Sequence, residues 1–440
     1  MSDLQFARAQ MGMSLAFHII FATVGIGMPV LMAIAEGLHL RTGKAVYLEL
    51  AHRWARGTAI LFAVGAVSGT VLSFELGLLW PTFMELSGAV IGMPFSLEGF
   101  AFFTEAIFLG VFLYGWNRIP PVAHWCAGIV VALSGIFSGI FVVCANAWMN
   151  TPVGFDFANG EFRNIQPIRA MLNPAAFHEV IHMTLAAFAA TGFVVASIHA
   201  FFLRRDRSNE FHRAAFSIAA ALGCVAIPLQ IVSGDIAARA VAKLQPAKLA
   251  AMEAHFQTER GAPLIIGGIV NNREGSVKYA LKIPKGLSLL LAHRTDLEVP
   301  GLDRIPRDQW PNVALVHLSF DVMVGCGMLM LLVAVWAGFV RWRKRAVFDN
   351  RFLLGAFVLA GPAGFIAIEA GWMVTELGRQ PWTIYGILRT AEVVTPMPRL
   401  VIPFSIFTAV YLFLSVILVF LLKRQFLQTA PRETPKPHAP

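Results

Sequence analysis

Glu369 sits inside GFIAIEAGWMVTELGRQPW (364–382), a run that stays apolar until Glu376 and a Gly-Arg-Gln-Pro-Trp turn close it. An ionised carboxylate at membrane depth costs at least ~2.5 kcal/mol on insertion scales, so it is paired, neutralised or bound to something. His18, His182, Met323, Glu98 and Glu105 also stand in apolar surroundings. Imidazole, thioether and carboxylate all ligate metals, and a buried glutamate serves equally well as a proton relay. Each has a plainer alternative. A histidine within a span is also an ordinary hydrogen-bonded packing residue, and with 16 Met in the chain most are core filler. Glu98 and Glu105 are two helical turns apart, so they share one face about 10 Å apart along the axis, a spacing that suits a water-linked proton path.

These residues need elements to hold them. The chain has 440 residues, is 57% apolar and only 14% charged. Soluble domains carry about 25% charged residues, so the composition is that of an all-α polytopic membrane protein. Runs of about 20 apolar residues, enough to cross the hydrocarbon, occur near 14–37, 55–79, 96–117, 123–148, 178–203, 213–234, 314–340, 352–375 and 400–422. The first is too long for a signal-peptide core and reads as a retained span. A net charge of +9 does not point to nucleic acid, because the basic residues cluster beside the apolar runs. Arg41, Lys44, Arg53, Arg56, Arg204, Arg205, Arg207, Arg213 and the 341–345 group mark one side, against sparse Arg8, Arg163, Arg169, Arg379, Arg389 and Arg399 on the other. This bias predicts an outer N-terminus and a cytoplasmic C-terminus. Six spans fill 1–234, an external loop 235–313, three spans 314–423, and a Pro-rich, disordered tail 424–440. Residues 245–259 read as a short helix within the loop. Cys126, Cys144, Cys224 and Cys326 lie in apolar stretches and read as packing thiols.

With that orientation, His18, His182, Met323, Glu98, Glu105 and Glu369 are all expected in the outer leaflet. Histidine, methionine and carboxylate can hold heme iron, and without a Cys-x-x-Cys-His motif any heme is non-covalent. His124 and His199, toward the cytoplasmic side, are expected to be structural or headgroup-facing.

The longer motifs carry a resemblance. FHIIF around His18, SLEGFAFFTEAIFLG around Glu98 and Glu105, ANAWMNTPVGF (145–155), EVIHM around His182, KLAAMEAHFQT (248–258), FDVMVGCG around Met323 and EAGWMVTELGRQPW occur in order along the chain. Together they resemble subunit I of the cytochrome bd-type quinol oxidases over all nine spans. The resemblance implies that His182 and Met323 are axial ligands of a low-spin heme b. It implies that His18 and Glu369 ligate the other two hemes, a high-spin b and a heme d or a further heme b in its place. Lys248 and Glu253 match residues of quinol binding and oxidation, and Glu98 and Glu105 match carboxylates of proton delivery and the heme environment. Arg379 is expected to face heme propionates, and Trp372 and Trp382 to pack near the interface or a macrocycle. The implied reaction oxidises ubiquinol or menaquinol outside and reduces O2 to water with cytoplasmic protons, building a proton-motive force without pumping. Implied partners are a homologous membrane subunit II and a small single-span accessory subunit in the bacterial inner membrane.

Two features depart from many relatives. Asp321 stands two residues before Met323 where they have Arg, and the external loop is short, closer to the cyanide-insensitive branch. Two other classes compete on the residues alone: a membrane ion or proton-coupled transporter, and a heme b quinol dehydrogenase that does not reduce oxygen. No inverted repeats or paired broken helices support the transporter.

Overall fold

The computed structural model describes residues 2–344 and 346–429. Helices α1 (Asp3–Thr42), α2 (Ala45–Leu79), α3 (Pro81–Tyr114) and α4 (Pro121–Asn150) form the first part of the bundle. A hairpin of β1 (Asp156–Ala158) and β2 (Glu161–Arg163) and the short α5 (Pro167–Met171) lead to α6 (Ala176–Leu203) and α7 (Glu210–Leu244). After the long connection come α10 (Val313–Trp342), α11 (Arg351–Ala360), α12 (Ala363–Arg379) and α13 (Val401–Thr429). Counting α11 and α12 as one, nine helices among the described residues are long and apolar enough to cross a membrane.

The spans outrun their apolar cores. The third helix begins at Pro81 rather than near 96, because a proline suits the first helical position and Pro94 is tolerated inside. The eighth span is broken at Gly361-Pro362, where Pro362 cannot donate to the helical ladder. The last helix continues to Thr429, past the expected start of the tail at 424; residues 430–440 lie outside the described residues. Close helix crossings depend on small residues, as membrane bundles require. A Cβ on Gly192 of α6 would come within 2.4 Å of the Gly223 nitrogen on α7. Around this crossing Leu31, Met32, Leu50, Phe193, Phe216 and Phe357 form the main core. Cys224 and Cys326 pack against this core, Cys144 is buried in a smaller cluster with Ala147, Ala175 and Ala176, Cys126 is exposed, and all four cysteines are free.

The long connection is folded, and it starts later than 235 because α7 runs on to Leu244. The predicted 245–259 helix is confined to α8 (Pro246–Met252). It stops at Glu253, followed by Ala254 in the left-handed region at φ 47°. An arm of nested antiparallel pairs follows. β3 (Glu259–Arg260) pairs with β8 (Glu298–Val299), β4 (Leu264–Ile266) with β7 (Leu281–Ile283), and β5 (Ile269–Asn271) with β6 (Ser276–Lys278). Helix α9 (Gly286–Ala292) lies between β7 and β8. Helix α8 is buried against α7, α10 and α12, so the connection closes over one end of the bundle. The turn after α12 forms β9 (Trp382–Ile384) and β10 (Leu388–Arg389), with Arg389 over the Trp382 ring at 5.1 Å.

Candidate functional site

His18 and His182 are held the same way. His18 Nδ1 lies 3.0 Å from Ser68 Oγ, and Ser68 donates to the Gly65 carbonyl at 3.0 Å. His182 Nδ1 lies 3.0 Å from Ser233 Oγ, and Ser233 donates to the Gln230 carbonyl at 2.9 Å. Each hydroxyl proton is committed to a helix carbonyl, so its oxygen accepts from Nδ1–H. That leaves Nε2 with the lone pair, the arrangement of a metal-ligating histidine with an oriented ring. The Gln230 amide stands 3.0 Å from His182 Nε2, where an electrophile would sit. Glycines follow both serines, and a Cβ on Gly69 would lie 2.9 Å from His18 Cε1.

Met323 of α10 projects onto α12, where a Cβ at Gly371 would lie 3.1 Å from its Sδ. Two residues earlier, Glu369 carries a buried Oε1 with no hydrogen-bond partner among the described residues. A carboxylate oxygen with no partner among the described residues, an Nε2 lone pair on each histidine, that of His182 facing the Gln230 amide, and a thioether are a donor set that fits heme iron. Trp372, half-buried, follows Gly371 on the same helix.

The acidic pair keeps its shared face, turned to α4. Ser138 of α4 donates to Glu98 Oε1 at 3.2 Å. The buried Glu105 carboxylate faces the crossing of α1 and α4, 3.9 Å and 3.4 Å from Cβ positions built on Gly25 and Gly135. Gly25 is seven residues beyond His18 on α1, so the Glu105 carboxylate sits about 10 Å along the bundle from the level of His18.

Lys248 and Glu253 part company. Lys248 is 3% exposed and donates to Asn150 Oδ1 at 3.1 Å, and Arg379 donates to the same oxygen at 3.3 Å. Asn150 donates in turn to Glu179 at 3.1 Å, Arg379 pairs with Glu376 at 2.5 Å, and Asn146 donates to Glu376 at 2.6 Å. Two cations and two carboxylates thus share one buried network at the closed end of the bundle. Burial holds the Lys248 ammonium below its usual range. Arg379 keeps one donor, Nε, without a partner among the described residues. Glu253 instead faces α10: burial, and then the like charge of Asp321, push its carboxyl up to about 8. Asp321 is turned to the external arm, accepting from the Gly267 amide at 2.7 Å and lying 3.4 Å from His317.

Sequence reasoning assigned no role to Asn146, Asn150, Glu179, Glu376 or His178. Their signal was spacing: Asn146 and Asn150 are one turn apart in an apolar run, as are Glu376 and Arg379. His178, one turn before His182, is buried with both ring nitrogens unpartnered among the described residues. His124 and His199 are buried rather than headgroup-facing; His124 pairs with Glu36 at 2.7 Å and stacks near Trp116, and His199 meets His212 at 2.9 Å.

The comparisons agree over nearly the whole chain. A chain in the solved structure of the bd oxidase from Geobacillus thermodenitrificans is 39% identical, with a TM-score of 0.91 over 98% of this chain and 99% of that one. A Bacillus subtilis chain provisionally named a cytochrome bd menaquinol oxidase subunit I is 38% identical over 97% of both chains. Cytochrome bd ubiquinol oxidase subunit 1 of the same organism is 30% identical over 98% of this chain and 95% of its own. The family model for cytochrome bd terminal oxidase subunit I matches residues 6–430. The chain belongs to the cytochrome bd terminal oxidase subunit I family, the quinol oxidases of bacterial respiratory membranes.

Proposed function

We propose that His182 and Met323 hold a low-spin heme b, and that His18 and Glu369 hold the two further hemes, a high-spin b and a heme d or a further heme b in its place. The observation that carries this reading is the repeated Ser–His pairing, which presents Nε2 of both histidines as a ligand atom, beside the orphaned Glu369 oxygen. When bound, the hemes supply the one-electron chemistry and the oxygen-reducing centre. Every other role falls to the chain.

Quinol is recognised under the external connection. Glu253, protonated to about pH 8, accepts a quinol proton when ionised, while Lys248, held by Asn150, donates to a quinone oxygen. Arg379 and Lys248 balance Glu179 and Glu376, and the Nε of Arg379 would be the donor left for a heme propionate. Glu98 and Glu105 convey protons from the Arg- and Lys-rich, cytoplasmic face toward the oxygen site, helped by Ser138. Quinol protons leave on the opposite, outer face, so charge separates across the inner membrane without a pump. The working unit includes the homologous subunit II and a small single-span accessory subunit.

Oxygen uptake by the purified complex with ubiquinol or menaquinol tests the reading. Quinol-dependent uptake with heme bands in the same preparation supports it. Heme bands with no uptake would favour a dehydrogenase, and folded complex without heme a transporter.

A further inference from the structure

A groove of about 830 Å³ opens where the α1–α2 turn meets the start of α7, at the basic end of the bundle. Its walls are apolar, with Ile34 and Leu38 from α1 and Ile218 and Leu222 from α7, and its mouth holds Lys44 and Arg213. The Arg213 guanidinium rests 4.7 Å over the Phe348 ring, and neither cation forms an ion pair among the described residues. Glu210 is the one carboxylate lining the groove, so its mouth is net positive. A second furrow, about 460 Å³, runs along the other flank of the same Ile34–Leu38 ridge and ends at Arg41. From Leu222 to Glu210 the α7 wall is about 18 Å long at 1.5 Å per residue, close to half of the ~30 Å hydrocarbon core. The furrows therefore have the length of one leaflet, with apolar walls at acyl depth and cations at headgroup depth.

We propose that these paired furrows bind an anionic phospholipid of the surrounding bilayer. Its phosphate sits between Lys44 and Arg213, and its acyl chains lie on either side of the Ile34–Leu38 ridge. A basic pocket between helices favours anionic headgroups. A zwitterionic lipid brings its own cation into the same mouth and loses most of the attraction. The site lies far from the ligand residues and does not depend on the heme assignment.

Native mass spectrometry of the purified complex, titrated with phosphatidylglycerol and separately with phosphatidylcholine, tests the proposal. The expected result is preferential retention of phosphatidylglycerol, weakened roughly 30-fold by the double variant Lys44→Gln/Arg213→Gln, as two surface cations predict, and kept by Lys44→Arg/Arg213→Lys. Ala221→Trp leaves both charges and fills the groove, and it should also cut retention. Unchanged heme absorbance shows that each variant is folded. Retention equal to the parent in either the neutralised or the filled variant overturns the site. So does competition by millimolar inorganic phosphate, which would make the ligand a free anion, and so does cross-linking from position 221 to the partner subunit, which would make the groove a protein interface.

Discussion

His18 Nδ1 lies 3.0 Å from Ser68 Oγ, and the same contact recurs between His182 and Ser233. Both serines occupy a Val-Ser-Gly tripeptide, residues 67–69 and 232–234, on the helix that follows the one carrying the histidine. The serine fixes the tautomer, and the glycine lets the two helices approach until the ring meets backbone. One local device thus orients both histidines proposed as heme ligands, on different helix pairs.

Replacing either serine by alanine leaves an Nδ1–H without its acceptor. Loss of such an outer partner costs about 10–100-fold in metal affinity. Ser233→Ala should lower low-spin heme occupancy, and Ser68→Ala should lower high-spin occupancy, each without loss of the other. Heme extraction and quantification against protein checks both; equal occupancy in all forms would leave the serines as packing residues.

The two glycines are not equally tight. A Cβ at Gly69 falls 2.9 Å from His18 Cε1, whereas one at Gly234 falls 3.4 Å from His182 Cε1. Gly69→Ala should therefore displace its ring and reduce the carbon-monoxide-reactive signal severalfold, while Gly234→Ala changes the low-spin bands little. Side-by-side difference spectra decide the order of severity.

Much of this architecture was readable from the residues because a membrane span is a long, simple signal. Nine apolar runs gave the helices, and Glu369 stood out because a carboxylate in hydrocarbon demands a reason. Helix ends were less legible: α3 starts at Pro81, in a stretch of mixed polarity that the apolar run from 96 did not include. The buried network around Asn150 was invisible for another reason. Asn150, Glu179, Lys248 and Arg379 come from four helices, and only tertiary packing brings them together. That Lys248 and Glu253 meet different neighbours was equally invisible, because α8 ends at Met252 and only the fold sets Glu253 beside Asp321.

Glu253 should give quinol turnover a pH dependence. Its carboxyl is raised to about 8 by burial first and by Asp321 second. Because the folded value exceeds the ordinary 4.5, the stability this group contributes is full below that value and is lost as pH rises through 8. Asp321→Asn removes the like charge, so the carboxyl ionises at lower pH. The alkaline-going rise in quinol kcat/KM should move to lower pH in Asp321→Asn and disappear in Glu253→Gln. A profile identical in all three proteins would assign the proton acceptor elsewhere.

Asn150 accepts from both Lys248 and Arg379. Hydrogen bonds to charged groups contribute about 1.5–3 kcal/mol each. Asn150→Leu should raise the quinol KM at least tenfold, with heme content preserved, since the ligands lie on other residues. Steady-state oxygen uptake over a range of quinol concentrations measures it; an unchanged KM would separate this network from quinol.

The ligand assignment is tested most directly by dithionite-reduced minus air-oxidised spectra, with and without carbon monoxide, of the complex bearing His182→Ala, Met323→Leu, His18→Ala or Glu369→Ala. The first two should lose the low-spin bands and keep a carbon-monoxide-reactive centre; the last two should keep the low-spin bands and lose high-spin absorbance. Spectra that match the parent in His182→Ala and His18→Ala would contradict the account.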